Sequence, residues 1–268
     1  MQDIEYTALI RTYNSAPLVF DVIEKLKKQT VPPAYIMAVD SGTSNEALHE
    51  LSSKVDQLVD ISDNEFNFSR AINLGIAQCK TKYVLIISSH VLLNSPHVIE
   101  NLLTSLQQNE CEVGCISWDP VADNKWVVRV VTPSNFNGEN ALNNSCSFMP
   151  VEYAKELPFR EEVFSAEDQE WSVRYFKRYR KPIVAVHSSH VAYLNARFNY
   201  TKKLNEEIAL AYYVDPSRRS LKNVGLWLLK VMWSIGRRDF PKALFRLKVA
   251  FQLILMRLRP PHKSSRYF

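Results

Sequence analysis

The chain has 268 residues, of which 46% are hydrophobic, 23% are charged and 6 are glycine, so its composition excludes a disordered or fibrous protein. No stretch approaches the roughly 20 apolar residues of a membrane-spanning helix, and the first residues lack the basic and apolar regions of a secretory signal. The four cysteines form no C-x-x-C pair, so we expect free thiols in a reducing cytoplasm.

The net charge of +5 is unevenly distributed along the chain. Of 33 basic and 28 acidic residues, 11 basic residues and a single acid, Asp239, lie within 222–268. The preceding residues therefore carry a net charge of −5, and the end of the chain carries +10. This asymmetry predicts that any anionic partner binds the C-terminal segment.

The first half of the chain alternates between strand-like and helix-like segments. We predict strands at 6–11, 35–40, 57–61 and 83–88, and helices at 16–29, 45–51, 68–79 and 95–109. Strands that alternate with helices of this length are typical of a parallel sheet with crossover helices. The sequence therefore predicts an α/β fold with a Rossmann-like, mostly parallel sheet flanked by helices.

The second half of the chain is less regular and ends in a helical extension. We predict strands at 113–119, 125–131 and 183–187, helices at 167–178 and 199–213, and a polar loop at 132–147 that could serve as a lid. The break at Asp215-Pro216-Ser217 predicts a domain over 1–215 and a tail over 216–268. Two amphipathic helices, 221–235 and 240–258, are predicted in the tail.

Polar motifs follow the first two predicted strands, where a glycine-rich phosphate loop would otherwise stand. The chain has no G-x-G-x-x-G and no Walker lysine loop. Instead "LIRTYN" ends the first strand and "VDSGTSNE" the second, followed later by "FNFSRAINLGIAQCKTKYVLIIS" and "FSAEDQEW". This ordered set, from about residue 5 to about residue 194, resembles the family 2 glycosyltransferases, which have the GT-A fold.

The resemblance implies a donor site at the carboxyl ends of the strands, where open α/β sheets bind ligands. Thr12, Tyr13 and Asn14 would contact the nucleotide of a nucleotide-sugar donor, and Asp40 would accept hydrogen bonds from its base or ribose. Asp-Ser-Gly is also an ordinary turn signal. Two residues near the start of the next helix would lie either near the donor phosphates or on a solvated helix face: Arg70 and Asn73.

Ser88-Ser89-His90 stands where the family normally carries an Asp-x-Asp motif, whose last acid ligates a divalent cation. The resemblance implies Mn²⁺ or Mg²⁺, but both acids are missing here, and imidazole is a poor ligand for Mg²⁺. His90 together with His187 or His190 could hold a cation. Alternatively, Ser88 and His90 contact the diphosphate directly and cationic side chains replace the metal.

Glu167-Asp168 opens a predicted helix, with Ser165 as a candidate N-cap. Capping and the helix dipole favour acids in a first turn by roughly 0.3–1 kcal/mol, which would explain the pair without a function. In inverting members of the family, an acid in this motif is the general base that takes the proton of the acceptor hydroxyl. The resemblance therefore implies that Asp168 is the base and that Glu167 shapes the acceptor site.

The tail combines basic residues with bulky apolar residues at helical spacing, as in "KALFRLKVAFQLILMRLR". This pattern is typical of a helix that lies on an anionic membrane surface. The alternatives are packing against its own domain or a second subunit, and nucleic-acid binding, which no recognition motif supports.

These features together predict an inverting, non-processive glycosyltransferase at the inner face of the plasma membrane, with a lipid-linked glycan as acceptor. The Q-x-x-R-W motif of processive synthases is absent. A nucleotidyltransferase would need a glycine-rich basic loop after the first strand, and "IRTYNSAP" is not one. The second alternative is an inactive glycosyltransferase-like module that binds sugars or scaffolds partners, which the lost Asp-x-Asp motif favours.

Overall fold

The computed structural model describes residues 4–61, 67–119, 125–194 and 199–261. The strands are Tyr6–Thr12 (β1), Tyr35–Asp40 (β2), Gln57–Asp60 (β3), Tyr83–Ser88 (β4), Val91–Leu93 (β5), Val113–Trp118 (β6), Val127–Val131 (β7), Cys146–Pro150 (β8), Ile183–Ser188 (β9) and Val191–Tyr193 (β10). The helices are Leu18–Lys27 (α1), Asn45–Lys54 (α2), Phe68–Gln78 (α3), Val98–Gln108 (α4), Val151–Glu156 (α5), Glu167–Tyr179 (α6), Tyr200–Ala209 (α7), Leu221–Gly236 (α8) and Phe240–Leu255 (α9).

Eight strands form one sheet in the order β3-β2-β1-β4-β8-β6-β9-β7. Six of them run in the same direction, whereas β8 and β7 are antiparallel to their neighbours. The carboxyl ends of β1, β2, β4, β6 and β9 therefore lie along one side of the sheet, which we call the carboxyl edge. β5 and β10 form a separate antiparallel ribbon. The predicted α/β fold with a mostly parallel sheet is confirmed.

Each face of the sheet carries its own apolar core, because successive residues of a strand point to opposite faces. In β1, Ala8 and Ile10 belong to the core shared with α1 and α4, and Leu9 belongs to the core shared with α3 and α6. Helices therefore cover both faces, and the polar ends of the strands are left at the carboxyl edge.

Gly75 brings α3 into close contact with β1. A methyl group on its Cα would lie 2.3 Å from Leu9 Cδ1, so Leu9 would have to move within a filled core. We expect Gly75→Ala to lower the free energy of unfolding by about 1–3 kcal/mol in chemical denaturation. Gly225→Ala is the control, because nothing lies within 4 Å of that position. Helix propensity alone should make this control variant up to about 1 kcal/mol more stable. Equal effects of the two substitutions would contradict the close packing at Gly75.

The predicted helices and strands agree with the structure apart from small shifts at their ends, but β5, β8, β10 and α5 were not predicted. The predicted loop 132–147 overlaps β8, which pairs with β4 and β6 in the middle of the sheet. All five residues of β8 are buried, so the segment lacks the alternation that marks a strand. The predicted N-cap at Ser165 was wrong, because Ala166 occupies that position with a left-handed backbone (φ 55°).

The two tail helices form a hairpin that packs against the rest of the protein through one face. Val224 of α8 and Val249 and Leu253 of α9 meet Phe164 and Ile208 in a third apolar cluster. The alternative in which the tail packs on its own domain therefore holds for this face. In the described ranges, no helix is both long and apolar enough to cross a membrane. The predicted boundary between residues 215 and 216 stays a prediction.

Arg218, in the 3₁₀ turn before α8, joins the tail to the loop that precedes β8. Its guanidinium donates to Glu139 Oε1 at 2.7 Å and to the Asn137 carbonyl at 3.2 Å. Its Nη1 atom also lies 3.7 Å from Glu207 Oε2. The first turn of the tail is thereby tied to a loop that forms one wall of the cavity described next.

Candidate active site

A cavity of about 730 Å³ lies at the carboxyl edge of the sheet. Residues at the ends of β1, β4, β6 and β9 line it, together with the loop 139–145 and the start of α6. This is where ligands bind in open α/β sheets. Of the predicted site residues, it contains Thr12, Tyr13, Ser88, His90, Glu167, Asp168 and His187.

Asp40 organises the loops that follow β1 and β2 at the carboxyl edge. Its buried carboxylate accepts hydrogen bonds from the backbone N–H groups of Gly42 at 2.9 Å and Thr43 at 2.8 Å, and from the Thr43 hydroxyl. Thr43 Oγ1 in turn accepts from the Asn14 N–H at 3.0 Å. The Asp-Ser-Gly motif therefore forms a turn, as its sequence suggests. A direct contact between Asp40 and the donor stays a prediction.

Arg70 and Asn73 lie on α3, and neither is among the described residues that line the cavity. The Asn73 amide donates to the Phe159 carbonyl at 2.7 Å and accepts from the Phe159 N–H at 2.9 Å. These two bonds hold α3 against the segment before α6, which explains Asn73 without a ligand. The structure therefore does not bring Asn73 together with the other predicted donor residues.

The Ser88-Ser89-His90 triplet is held by hydrogen bonds to β1 and the loop after it. Ser88 Oγ accepts from Arg11 Nη2 at 3.3 Å, and the Ser89 and Ser15 hydroxyls are 2.7 Å apart. The His90 ring packs edge-on against Tyr193, and within the described residues its buried Nε2 has no hydrogen-bond partner. Burial, followed by the positive charges of Arg11 and Lys202, lowers the pKa of His90 to about 4. His90 is therefore a neutral imidazole at pH 7.

The structure does not bring all three of the histidines proposed as metal ligands to one place. The Leu194 N–H donates to the His90 carbonyl at one end of the β5–β10 ribbon, and the Asn94 N–H donates to the His190 carbonyl at the other. His190 packs instead on Trp126. In the part of the chain that the structure describes, no three His, Cys, Asp or Glu side chains form a candidate metal group. The ribbon register separates His90 from His190, whereas His90 and His187 both line the cavity, so a cation held by His90 and His187 stays a prediction.

The cation that the family motif implies does not fit the residues present at Ser88-Ser89-His90. The Arg11 guanidinium lies against Ser88 and already carries a positive charge. A divalent ion there would meet this charge with neutral hydroxyl and imidazole ligands, whereas Mg²⁺ and Mn²⁺ prefer carboxylate oxygens. No step of the reaction is therefore assigned to a metal at this place.

Glu167 and Asp168 enter the cavity at the start of α6. Asp168 Oδ1 accepts from the Gln169 N–H at 2.8 Å, and Oδ2 accepts from the Asn144 N–H at 3.2 Å. Glu167 Oε1 lies 3.7 Å from Arg11 Nη1. Burial, and then the negative charge of Glu167, raises the pKa of Asp168 to about 7 against the opposing effect of the two hydrogen bonds and Arg11. Asp168 is thus suited to exchange a proton near neutral pH.

The loop before β8 is fixed on α6, which keeps Asn144 beside Asp168. Gln169 accepts from the Ala141 N–H at 3.3 Å and donates to the Leu142 carbonyl at 2.5 Å. Ser172 Oγ accepts from the Leu142 N–H at 3.2 Å. Sequence reasoning missed Asn144 and the role of Arg11, because their contacts join segments that are far apart in the chain.

The fold is that of a GT-A glycosyltransferase, and its cavity at the carboxyl edge holds an acidic pair at the start of α6 together with residues that follow β1 and β4. The sequence pattern of glycosyl transferase family 2 matches residues 7–166, more than half of the chain. The protein therefore belongs to this family of nucleotide-sugar-dependent glycosyltransferases. It is also similar to the O-antigen chain rhamnosyltransferase RfbN of Salmonella typhimurium, with 28% identity over 102 residues. That alignment spans 37% of this chain and 32% of the relative's length, about a third of each.

Solved structures support the same fold at low sequence identity. The mannosyltransferase PcManGT from Pyrobaculum calidifontis, in complex with GDP-Man and Mn²⁺, superimposes with a TM-score of 0.61 at 13% identity and covers 96% of this chain and 88% of its own. TarS 1–349 from S. aureus, in complex with UDP-GlcNAc, has a TM-score of 0.57 at 14% identity and covers 97% and 93%.

Proposed function

We propose that the protein transfers one sugar at a time from a nucleotide-sugar donor to a hydroxyl group of a glycan, with inversion at the anomeric carbon. The observation that carries this proposal is the position of Asp168, a carboxylate of pKa about 7 within the cavity. Asp168 takes the proton of the acceptor hydroxyl as its oxygen attacks the anomeric carbon. The bond from this carbon to the diphosphate breaks on the opposite face, and the nucleoside diphosphate leaves with the electron pair.

Two cationic side chains support direct binding of the leaving diphosphate. Arg11 and Lys202 line the cavity, and the positive charge of each lowers the pKa of His90. Two solved structures of similar fold are complexes with UDP-GlcNAc or GDP-Man, which supports a nucleotide sugar as the donor. In this proposal, Arg11 and Lys202 supply positive charge to the diphosphate, and Ser88 and His90 supply hydrogen bonds.

The similarity to an O-antigen chain rhamnosyltransferase supports a growing cell-surface polysaccharide as the acceptor. Such a glycan is carried on a lipid, so the enzyme would meet it at the inner face of the plasma membrane. In this proposal the protein is cytoplasmic and is bound to the membrane at its periphery. Addition of one or a few sugars agrees with the absence of a Q-x-x-R-W motif from the chain.

The outer face of the tail hairpin supports this membrane location. Its large apolar side chains are strongly exposed, for example Leu229 at 63%, Met232 at 69% and Phe251 at 57%. Exposed basic residues accompany them: Lys222, Lys230, Arg237, Arg238, Lys248, Arg257 and Arg259. Apolar residues that enter the interface, surrounded by cations that meet anionic headgroups, are typical of helices lying on a membrane.

Nucleotide binding tests the donor site and the cation together. Chelator-treated protein, titrated calorimetrically with UDP, GDP, CMP and dTDP, should bind one nucleotide with the same affinity with and without Mn²⁺. We expect His90→Ala to weaken this binding roughly 10-fold or more, because a hydrogen bond to a charged phosphate is lost. His190→Ala, at the other end of the ribbon, is the matched control and should bind as the wild type does.

The other outcomes of this titration are equally informative. Binding that requires Mn²⁺ and is lost in His90→Ala would show a metal site at the triplet and refute the direct contact. Failure to bind any of the four nucleotides would instead favour the inactive sugar-binding or scaffold module.

A further inference from the structure

The cavity extends well beyond the loops that hold the donor. Its donor end lies at β1, and its other end lies at β6 and β9, where Ser117, Trp118 and His187 line the wall. In the sheet order, β4 and β8 separate β1 from β6, which corresponds to roughly 14 Å at the usual spacing of strands. Asn144, whose backbone N–H donates to Asp168, lies two residues before the start of β8. The carboxylate pair therefore lies between the two ends of the cavity.

Trp118 is unusually exposed for an aromatic residue of this domain. Its side chain is 53% exposed at the carboxyl end of β6, whereas Trp171, Tyr175, Phe148 and Phe159 are almost fully buried. Among the described residues before the tail, the other strongly exposed large apolar side chains are Val128 and Leu194, neither of which lines the cavity. Core packing thus does not explain an indole at this place.

The wall of the cavity at this end also carries hydrogen-bonding side chains. Ser117 and Asn143 line it, and the Asn143 amide donates to Ser117 Oγ at 2.9 Å. His187 lines the same wall, and burial, followed by the positive charge of Arg129 and against the negative charge of Asp119, lowers its pKa. A flat, exposed apolar ring in a cavity whose wall also carries hydrogen-bonding groups suits a ligand with an apolar face and a polar rim.

A neutral sugar ring has this character, since one face carries C–H groups and its edge carries hydroxyls. We propose that Trp118 is a stacking platform for a neutral sugar of the acceptor, with Ser117, Asn143 and His187 as the hydrogen-bonding rim. This inference rests on the proposed function and adds the residue that binds the acceptor. Transfer with inversion requires the acceptor hydroxyl to reach the anomeric carbon on the face opposite the diphosphate, with Asp168 beside that hydroxyl. The end of the cavity at Trp118 holds the rest of the acceptor sugar in this arrangement.

The test uses methyl glycosides of rhamnose, mannose, glucose and N-acetylglucosamine, with methyl glucuronide as the charged comparison. At least one neutral glycoside should change the tryptophan fluorescence of the full-length protein in a saturable manner, and methyl glucuronide should bind no better. Calorimetry measures the affinity of the variants that lack this indole, and we expect Trp118→Ala to weaken the binding about 10-fold, consistent with the loss of one aromatic contact. Trp118→Phe should keep the affinity within about 3-fold but lose the fluorescence change.

Val128→Ala is the matched control, because Val128 is exposed on β7 of the same sheet but lies outside the cavity. Two results would refute the stacking role of Trp118. One is an unchanged fluorescence response in Trp118→Phe, and the other is a wild type that responds to no neutral glycoside. Nucleotide titration of the same variants separates the two proposals. Normal nucleotide binding without glycoside binding refutes only the platform, whereas glycoside binding without nucleotide binding refutes the transferase.

Discussion

Asp168→Asn is expected to abolish sugar transfer while leaving the donor site intact. An amide cannot accept the proton of the acceptor hydroxyl, so kcat should fall by roughly 10²- to 10⁴-fold, the range of general-base catalysis. The nucleotide affinity should stay within about 3-fold, because Asp168 contacts the Asn144 and Gln169 backbone and not the donor loops. Steady-state kinetics and calorimetry measure the two effects separately.

Asp60→Asn is a suitable control for this substitution, because Asp60 is an exposed acid at the end of β3. It should retain wild-type activity. Transfer by Asp168→Asn at the wild-type rate would remove Asp168 from its proposed role.

The pH dependence of the wild type should report the pKa of the same carboxylate. Only the ionised form accepts a proton, so kcat/KM should rise about tenfold per pH unit below pH 7 and level off above it. Glu167→Gln removes a negative charge that raises this pKa. The acidic limb of the profile should therefore move to lower pH in that variant, and a limb that stays in place would contradict the electrostatic coupling of the pair.

Stability should depend on pH with the opposite sign. The pKa of Asp168 is raised from its usual 3.8 to about 7 on folding, so between these values the folded protein binds more protons than the unfolded chain. Stability is therefore lost as the pH rises through this window. Thermal unfolding of the wild type and Asp168→Asn should show the wild type losing stability relative to the variant between about pH 4 and pH 7. Parallel curves would mean that the pKa of Asp168 is not raised.

Leu229→Gln combined with Met232→Gln is expected to release the protein from anionic vesicles. Each side chain contributes about 1.5–3 kcal/mol when it leaves water, so the partition coefficient should fall at least roughly 100-fold in a vesicle sedimentation assay. Binding by the wild type should also weaken with salt, because the surrounding cations contribute about 1 kcal/mol each near an anionic leaflet. These exposed positions are better tested by substitution than by deleting 222–268, which would also uncover Phe164 and Ile208.

The matched control for the vesicle experiment is the pair Trp118→Gln and Val128→Gln, which removes exposed apolar groups from the body. This variant should bind vesicles as the wild type does. Unchanged vesicle binding by the tail variant would refute the proposal that these tail residues contact the membrane. A wild-type dimer in sedimentation velocity that the tail variant loses would assign the same face to a second copy of the chain.

The sequence by itself determined the class of fold and the family. Alternating strand and helix patterns are local, and the motifs from "LIRTYN" to "FSAEDQEW" keep their order along the chain. The basic and apolar character of the tail was also readable, because charge and helical spacing depend only on neighbouring residues.

Only the tertiary structure decided which of the candidate residues meet. The β5–β10 register separates His90 from His190, and the insertion of β8 between β4 and β6 brings Asn144 to Asp168. The raised pKa of Asp168 and the neutral state of His90 likewise follow from burial and from charges distant in sequence. Strand pairing and burial depend on contacts between segments far apart along the chain. For that reason local patterns identified the residues of this site but not their arrangement.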